Sequence, residues 1–362
     1  MRFIFKTDYD QDIRLFKHGG TKVWYGLLAL LLLAAPWLVG EDMRDYYLSQ
    51  LGFIWIYSIV GLGLMLLTGF TGQVSLGHAA FLAVGAYTEA VLQKHGWPFA
   101  ASLTAAFVLS GIAGIVIGLP ALRVKGIYLA IATQAFGFIV EEILARWDSV
   151  TGGNEGLHLE HIDFFGIPIK SEADFYFLSL GLLCLVLLGS VNLMRSPTGR
   201  ALVAIRDSEI SAQSMGINRA RYKTIAFALS AAITGIAGAL YAHKLQFISP
   251  EQFNALVSIQ LLMIIFIGGI GSFHGAIFGA IFVISLPEAI SAAKDWLPAG
   301  IGGAPGLEPT IFGLILVLFI LFEPLGIYGR WVKIRTYFAL FPFYRRAMFK
   351  RQKAYMKSER LR

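Results

Sequence analysis

The length of the apolar runs constrains this chain more than any other feature. Residues 23–39, VWYGLLALLLLAAPWLV, contain no charged residue, and a helix that crosses a bilayer needs about 20 mostly apolar residues. Similar runs recur along the chain, which is 56% hydrophobic and only 15% charged, whereas soluble globular proteins have about 25% charged residues. The sequence therefore predicts an all-α, polytopic membrane protein.

Hydropathy predicts about ten transmembrane helices, with both termini in the cytoplasm. Short cytoplasmic loops carry excess Lys and Arg, and the loop 195–223 is strongly basic whereas 146–173 is mainly acidic. Merging the eighth and ninth spans would place the basic C-terminal tail outside, so ten spans are favoured over nine. The predicted spans are 23–40, 47–67, 72–93, 99–119, 126–145, 174–194, 224–243, 255–268, 274–290 and 308–324.

The chain divides into an N-terminal cytoplasmic segment at 1–22, a transmembrane domain at 23–325 and a basic cytoplasmic tail at 326–362. The net charge of +7 lies mostly in loops and termini that the topology places inside, so it acts as an orientation signal. No nucleic-acid partner is expected, and the tail could bind anionic lipid in a generic way.

Two predicted spans are interrupted by glycine clusters, at 69–87 and 268–282. Irregular backbone at membrane depth survives only when protein or a water-filled cavity surrounds it, and interrupted spans in transporters often mark the solute path. Helix packing through small residues is the competing explanation for any single glycine, for example Gly85, Gly235 or Gly238. The candidate pathway residues are Gly72, Gln73, Ser75, Gly77, His78, Gly268, Gly269 and Gly271.

His78 is better explained as an interior histidine with hydrogen-bond partners than as a proton carrier. Glu89, His243 and the other ionisable residues within spans lie mostly near the predicted span ends. They form no chain that resembles a proton relay, which counts against an ion-coupled carrier.

The basic loop 195–223 has an internal order of its own. Pro197 is well placed to begin a helix, and 199–216 is predicted to form one amphipathic helix with Gly216 as its C-terminal cap. Such a helix either lies among lipid headgroups or fits a groove on a partner protein. The residues alone leave these two interpretations open.

Several stretches together resemble the LivM-type permease subunits of branched-chain amino-acid ABC importers. They are TGFTGQVSLGHAAFLAVGAYTEAVL, LRVKGIYLAIATQAFGFIV, TGGNEGL, GGIGSFHGAIFGAIF and, most specifically, the long stretch from 195 to 242 that begins SPTGRALVAIRDSEISAQSMG. The resemblance covers roughly 50–330. It implies a multi-pass permease of the bacterial inner membrane.

The resemblance also implies partners and a coupling element. The partners are a second, homologous permease subunit, two cytoplasmic ATP-binding subunits and a periplasmic amino-acid-binding protein. No Walker-type phosphate loop occurs in this chain, so ATP would be used by the separate subunits, and no cofactor or metal is expected here. The coupling helix would lie within 196–222 and would use Ser196, Gly199, Arg200, Ala201, Ile205, Arg206, Asp207, Glu209 and Gly216.

Three alternatives remain beside this interpretation. An ion-coupled secondary transporter of a small polar solute would work without an ATPase. A permease of the same family could carry urea or short amides, which the motifs do not separate from Leu, Ile or Val. A membrane enzyme would need clustered catalytic groups, whereas the histidines are scattered, and a metal at His158 and His161 is far less common than a solvated loop.

Overall fold

The computed structural model describes residues 19–38, 40–121, 124, 126–164, 167–294, 306–323 and 325–340. Almost all regular structure in these residues is helical, as predicted. The helices are α1 (Gly19–Leu38), α2 (Arg44–Leu64), α3 (His78–Lys94), α4 (Phe99–Ala121), α5 (Ile127–Arg146), α6 (Asp148–Thr151), α7 (Glu172–Arg195), α8 (Pro197–Asp207), α9 (Glu209–Ser214), α10 (Arg219–Leu245), α11 (Ala255–Gly268), α12 (Phe273–Lys294), α13 (Leu307–Phe322) and α14 (Gly326–Leu340).

Seven of the helical segments are long and apolar enough to cross a membrane, and an eighth arises if the bent pair α13–α14 is one span. The other two predicted spans correspond to α1, whose apolar part is Lys22–Leu38, and to α3, which has only 17 residues. The predicted count of ten is therefore approximate, and the orientation of the termini stays a prediction. The eighth and ninth predicted spans are separate helices, α11 and α12.

Two helices form the centre of the bundle. In the apolar windows of α2 and α10, 89% and 78% of residues are buried, against 28% in those of α4, α5, α7 and α12. Glycines allow the close packing of α10: a Cβ on Gly85 would lie 2.2 Å from the Gly235 oxygen, and one on Gly238 would lie 2.1 Å from the Leu82 oxygen. The packing role of these glycines is thus confirmed.

The only strands in the described residues lie in the segments between long helices, on the side predicted to be outside. β1 (Leu157–His158) pairs with β4 (Phe247–Ile248), and β2 (Ile162–Phe164) pairs with β3 (Ile167–Ile169), both antiparallel. Short 3₁₀ turns at Gly153–Glu155 and Pro250–Phe253, and another at Glu41–Met43, complete the connections. These connections cap the bundle without forming a separate domain.

The helix α14 packs against the second glycine cluster. A Cβ on Gly326 would lie 2.5 Å from the Gly269 nitrogen, and the rings of Tyr328 and His274 are stacked with centroids 5.9 Å apart. Part of the predicted tail is therefore helical and contacts the transmembrane domain, while 341–362 lies outside the described residues.

Candidate functional site

The first glycine-rich stretch breaks the helical path as the sequence predicted. α2 continues through a π-helical turn at Met65–Gly69, a geometry that is frequent at functional sites. Residues 72–77 are irregular, and α3 begins only at His78. The predicted span 72–93 was therefore wrong at its start by six residues, because the glycines and polar residues end the helix there instead of opening it.

Two carbonyl groups at the end of the helix before this break accept from nearby residues. The Thr71 hydroxyl donates to the Leu66 oxygen at 2.8 Å, and the Gly72 amide donates to the Thr68 oxygen at 3.2 Å. Buried backbone groups must be paired somewhere. The irregular segment thus begins with a defined, hydrogen-bonded conformation.

Ser75 and His78 join three helices through one chain of hydrogen bonds. The Ser230 hydroxyl donates to the Gly63 oxygen at 2.7 Å, so it accepts from His78 Nε2 at 2.8 Å. His78 Nδ1 then accepts from the Ser75 hydroxyl at 2.9 Å. Both ring nitrogens are satisfied with a neutral imidazole. His78 is fully buried and has the partners expected of an interior histidine.

The irregular segment packs on α5 as well. The Leu76 amide donates to the Thr133 hydroxyl at 3.0 Å, and a Cβ on Gly77 would lie 2.2 Å from the Thr133 oxygen. Gln73 is 4% exposed, and its Nε2 has no hydrogen-bond partner among the described residues. Gln73 is therefore the member of the predicted pathway set with a free buried donor.

The second break lies between α11 and α12 and touches the first. Gly269 and Gly271 have φ of 115° and 88°, conformations that favour glycine. The Gly271 amide lies 3.1 Å from Met65 Sδ, in the π-helical turn, and the Phe70 and Phe273 rings are 4.9 Å apart. The structure thus brings together the two stretches that the sequence singled out.

The predicted coupling segment forms two helices, so the prediction of one helix over 199–216 was wrong. Ser208 is extended, with φ −160° and ψ 110°, and its hydroxyl accepts from the Ser211 amide to begin α9. Serine competes well for helix N-terminal amides, which explains the break. Ser196 and Pro197 begin α8 as expected, and Gly216 has the left-handed φ of 84°.

The two helices differ in burial. α8 buries Ala201, Leu202 and Ile205 in the body of the protein. Ile210 in α9 and Met215, the residue that follows α9, are instead 79% and 83% accessible. The helix α8 is therefore packed into the protein, whereas the outer side of α9 is open.

Ion pairs fasten α9 to the start of α10. The Glu209 carboxylate accepts from Lys223 Nζ at 2.7 Å and from Arg219 Nη1 at 3.4 Å. The Lys223 side chain is only 7% exposed, so this pair is screened less than a surface pair would be. These ion pairs fix α9 against α10, although the outer face of α9 is exposed.

The remaining coupling residues lie along α8 and at its start. A Cβ on Gly199 would lie 2.3 Å from Met194 Cα, so glycine permits the tight turn between α7 and α8. Arg200 Nη1 donates to the Arg195 oxygen at 3.2 Å. Arg206 and Asp207 form an ion pair at the end of α8, with 3.0 Å between Nη2 and Oδ1.

A buried polar cluster on the other side of the bundle was missed by the sequence analysis. Glu89 and His243 are 1% and 6% exposed, with 2.9 Å between Oε1 and Nε2, and the Ser102 hydroxyl donates to the same carboxylate oxygen at 2.7 Å. These residues lie on α3, α10 and α4, far apart in sequence. The presence of a carboxylate and a histidine in predicted spans was the available signal.

No group of three or more His, Cys, Asp or Glu side chains in the described residues is arranged to hold a metal ion. His158 packs on Phe247 with ring centroids 4.8 Å apart, and His161 Nδ1 lies 3.1 Å from Gln246 Nε2. Both histidines thus have contacts within the outer connections.

The sequence of the chain matches one family of known proteins. The family model described as "Branched-chain amino acid transport system / permease component" matches residues 46–322, which include both breaks and the α8–α9 pair. No solved structure matches the chain.

Curated relatives agree with the family match. The chain is 34% identical, over 83% of its length and 74% of the relative, to the high-affinity branched-chain amino acid transport system permease protein LivM of Salmonella typhimurium. The identity and both coverages are the same for LivM of Escherichia coli. LivH of Escherichia coli is 24% identical over 76% of this chain and 91% of LivH.

The residues matched by the family model span most of the transmembrane bundle, and the apolar helices make the chain a multi-pass protein of the inner membrane. The chain belongs to the branched-chain amino acid transport system permease family, and it is a LivM-type permease subunit of an ABC importer.

Proposed function

We propose that this chain forms half of a translocation unit with a second, LivH-like permease and carries Leu, Ile or Val inward. The cargo is inferred from the printed names of the LivM and LivH relatives. A periplasmic binding protein delivers the amino acid, and two cytoplasmic ATP-binding subunits use the ATP. The chain itself performs no bond chemistry and holds no cofactor.

One observation carries the mechanism: the two broken spans touch each other and also lie beside the cytoplasmic helix pair. Met65 and Gly271 connect the breaks, and α8 lies against the first break through Arg206. Irregular backbone with glycines can change conformation at smaller cost than continuous helix. We assign the solute path to this junction, where Gln73 offers a buried donor.

The helix α9 is the docking element for an ATP-binding subunit. Ile210 in α9 and Met215 directly after it are exposed, and they suit an apolar groove, the mode in which a helix contributes anchors to a partner. A depression of about 440 Å³ beside it is lined by polar residues that include Gln213, Arg219 and Lys223. This combination favours a protein partner over lipid headgroups, where a basic polar face and a longer apolar face are usual.

Affinity purification of the chain from its native membrane, gently solubilised, tests the proposal. We expect a second permease and two ATP-binding chains in a fixed ratio. Replacing both exposed residues, Ile210→Asp and Met215→Asp, should release the ATP-binding chains and leave the second permease bound. As a control, Ile210→Leu with Met215→Leu keeps both side chains large and apolar and should leave the assembly intact.

Two outcomes would contradict the proposal. If the chain purifies alone and transports in liposomes, an ion-coupled carrier is the better account. If the assembly forms but transports urea or a short amide in place of leucine, the subunit arrangement stands and the cargo assignment is wrong.

A further inference from the structure

A single arginine connects α8 with the first break. Arg206 lies in the last turn of α8, and its Nη1 donates to the Gly69 oxygen at 3.2 Å, across 137 positions in sequence. The side chain is 36% exposed, so most of it lies against the protein. The partner atom is the final carbonyl of the π-helical turn Met65–Gly69.

The Gly69 carbonyl accepts its hydrogen bond from a distant helix, whereas carbonyls earlier in the same turn accept from nearby residues. The last carbonyls of a helix lack intrahelical donors. Those of Leu66 and Thr68 are satisfied by Thr71 and Gly72, within the break itself. The Gly69 carbonyl instead accepts from α8, so the end of α2 and the end of α8 share one charged hydrogen bond.

Glycines surround the arginine on two sides. A Cβ on Gly72 would lie 3.2 Å from Arg206 Cγ, and a Cβ on Gly271 would lie 3.7 Å from Arg206 Nη1. Both glycines have positive φ. The guanidinium therefore lies where the first and second breaks meet.

Asp207 orients the guanidinium. Arg206 Nε and Nη2 both donate to Asp207 Oδ1, at 3.1 and 3.0 Å, which directs Nη1 toward Gly69. The planar fork of arginine makes this arrangement possible, whereas a lysine would offer a single point of donation. Ile205, the neighbour before it, is 1% exposed and fixes the end of α8.

We propose that Arg206 is the positioning residue that transmits movement of α8 to both breaks at once. This inference rests on the proposed function, in which α8 and α9 are displaced by an ATP-binding subunit. Arg206 ties the end of α8 to the Gly69 carbonyl and lies against Gly72 and Gly271, so the breaks follow the helix.

Cysteine labelling at the second break tests the link without requiring any ATP-binding subunit. Cys184 is the single cysteine of the chain, so a Cys184→Ser background carrying Ser272→Cys places one thiol beside Gly271, at a position that is only 7% exposed. We would measure the rate of maleimide labelling in native membrane vesicles with Arg206, Arg206→Lys and Arg206→Ala.

Removing the link should raise the labelling rate by about tenfold in Arg206→Ala, the population change that follows from losing a charged hydrogen bond. Arg206→Lys should give a smaller increase. Arg146→Ala removes the same charge from an exposed residue at the end of α5, outside the coupling segment, and should not change the rate. Rates that are equal in all four proteins would overturn the proposal.

Uptake and ATP hydrolysis in the same vesicles separate this inference from the proposed function. We expect Arg206→Ala to hydrolyse ATP with little leucine uptake, whereas a residue with only a structural role would lower both together. Parallel loss of both activities at equal protein amount would overturn the link. If even the parent shows no ATP-dependent uptake, the proposed function fails, and the labelling rates still decide whether Arg206 holds the breaks.

Discussion

The two breaks resemble each other in sequence, and their structures are maintained by partly different interactions. The first combines side-chain hydrogen bonds, with Ser75, His78 and Ser230 in one chain, with a close approach of Gly77 to the Thr133 oxygen. The second is specified by close approach of backbone: a Cβ on Gly268 would lie 1.8 Å from the Gly275 oxygen. Close approach of glycine backbone is therefore common to both breaks, and the first break adds a chain of side-chain hydrogen bonds.

Adding a methyl group at the second break should have the largest effect. Gly268→Ala places a Cβ against backbone that cannot move aside, and overpacking of this kind costs about 3 kcal/mol. We expect a large drop in the melting temperature of the detergent-solubilised protein. The melting temperature would be measured by size-exclusion chromatography of samples heated to a series of temperatures. Gly181→Ala is the control, because nothing lies within 4 Å of its Cβ position. Equal melting temperatures for the two variants would contradict the steric account.

Removing one hydroxyl at the first break should have an intermediate effect. Ser230→Ala leaves His78 Nε2 and the Gly63 oxygen without the partner they now share, which costs about 1–3 kcal/mol for a buried group. The same melting assay measures it, with Ser214→Ala on the exposed face of α9 as the control. A Ser230→Ala protein as stable as its parent would show that the hydrogen-bond chain does not specify the first break.

Replacing Gln73 should change stability least. Gln73→Leu removes a buried donor that has no partner in the described part of the chain, so we expect a change in unfolding free energy below about 1 kcal/mol. Leucine uptake should nevertheless fall, because this donor lies on the proposed path. Parent-like uptake at normal stability would remove Gln73 from the path and would leave the first break a purely structural feature.

Much of this arrangement could be predicted from the sequence, because long apolar runs and glycine clusters carry strong local signals. The helices α11 and α12 and the interruption at 72–77 follow from such signals. The break at Ser208 could not be predicted, since the amphipathic pattern continues across it and only the serine cap divides the two helices. The pairing of distant residues, such as Arg206 with Gly69 or Glu89 with His243, has no local signal, although the presence of Glu89 and His243 in predicted spans can be seen from the sequence.

ATP-dependent uptake by the purified assembly tests the central claim most directly. The assembly would be reconstituted in liposomes with ATP on the side of the ATP-binding subunits and the binding protein with labelled leucine on the other. The account predicts uptake that requires both ATP and the binding protein and that persists when ion gradients are dissipated. Uptake that proceeds without ATP and stops when the ion gradients are removed would contradict it.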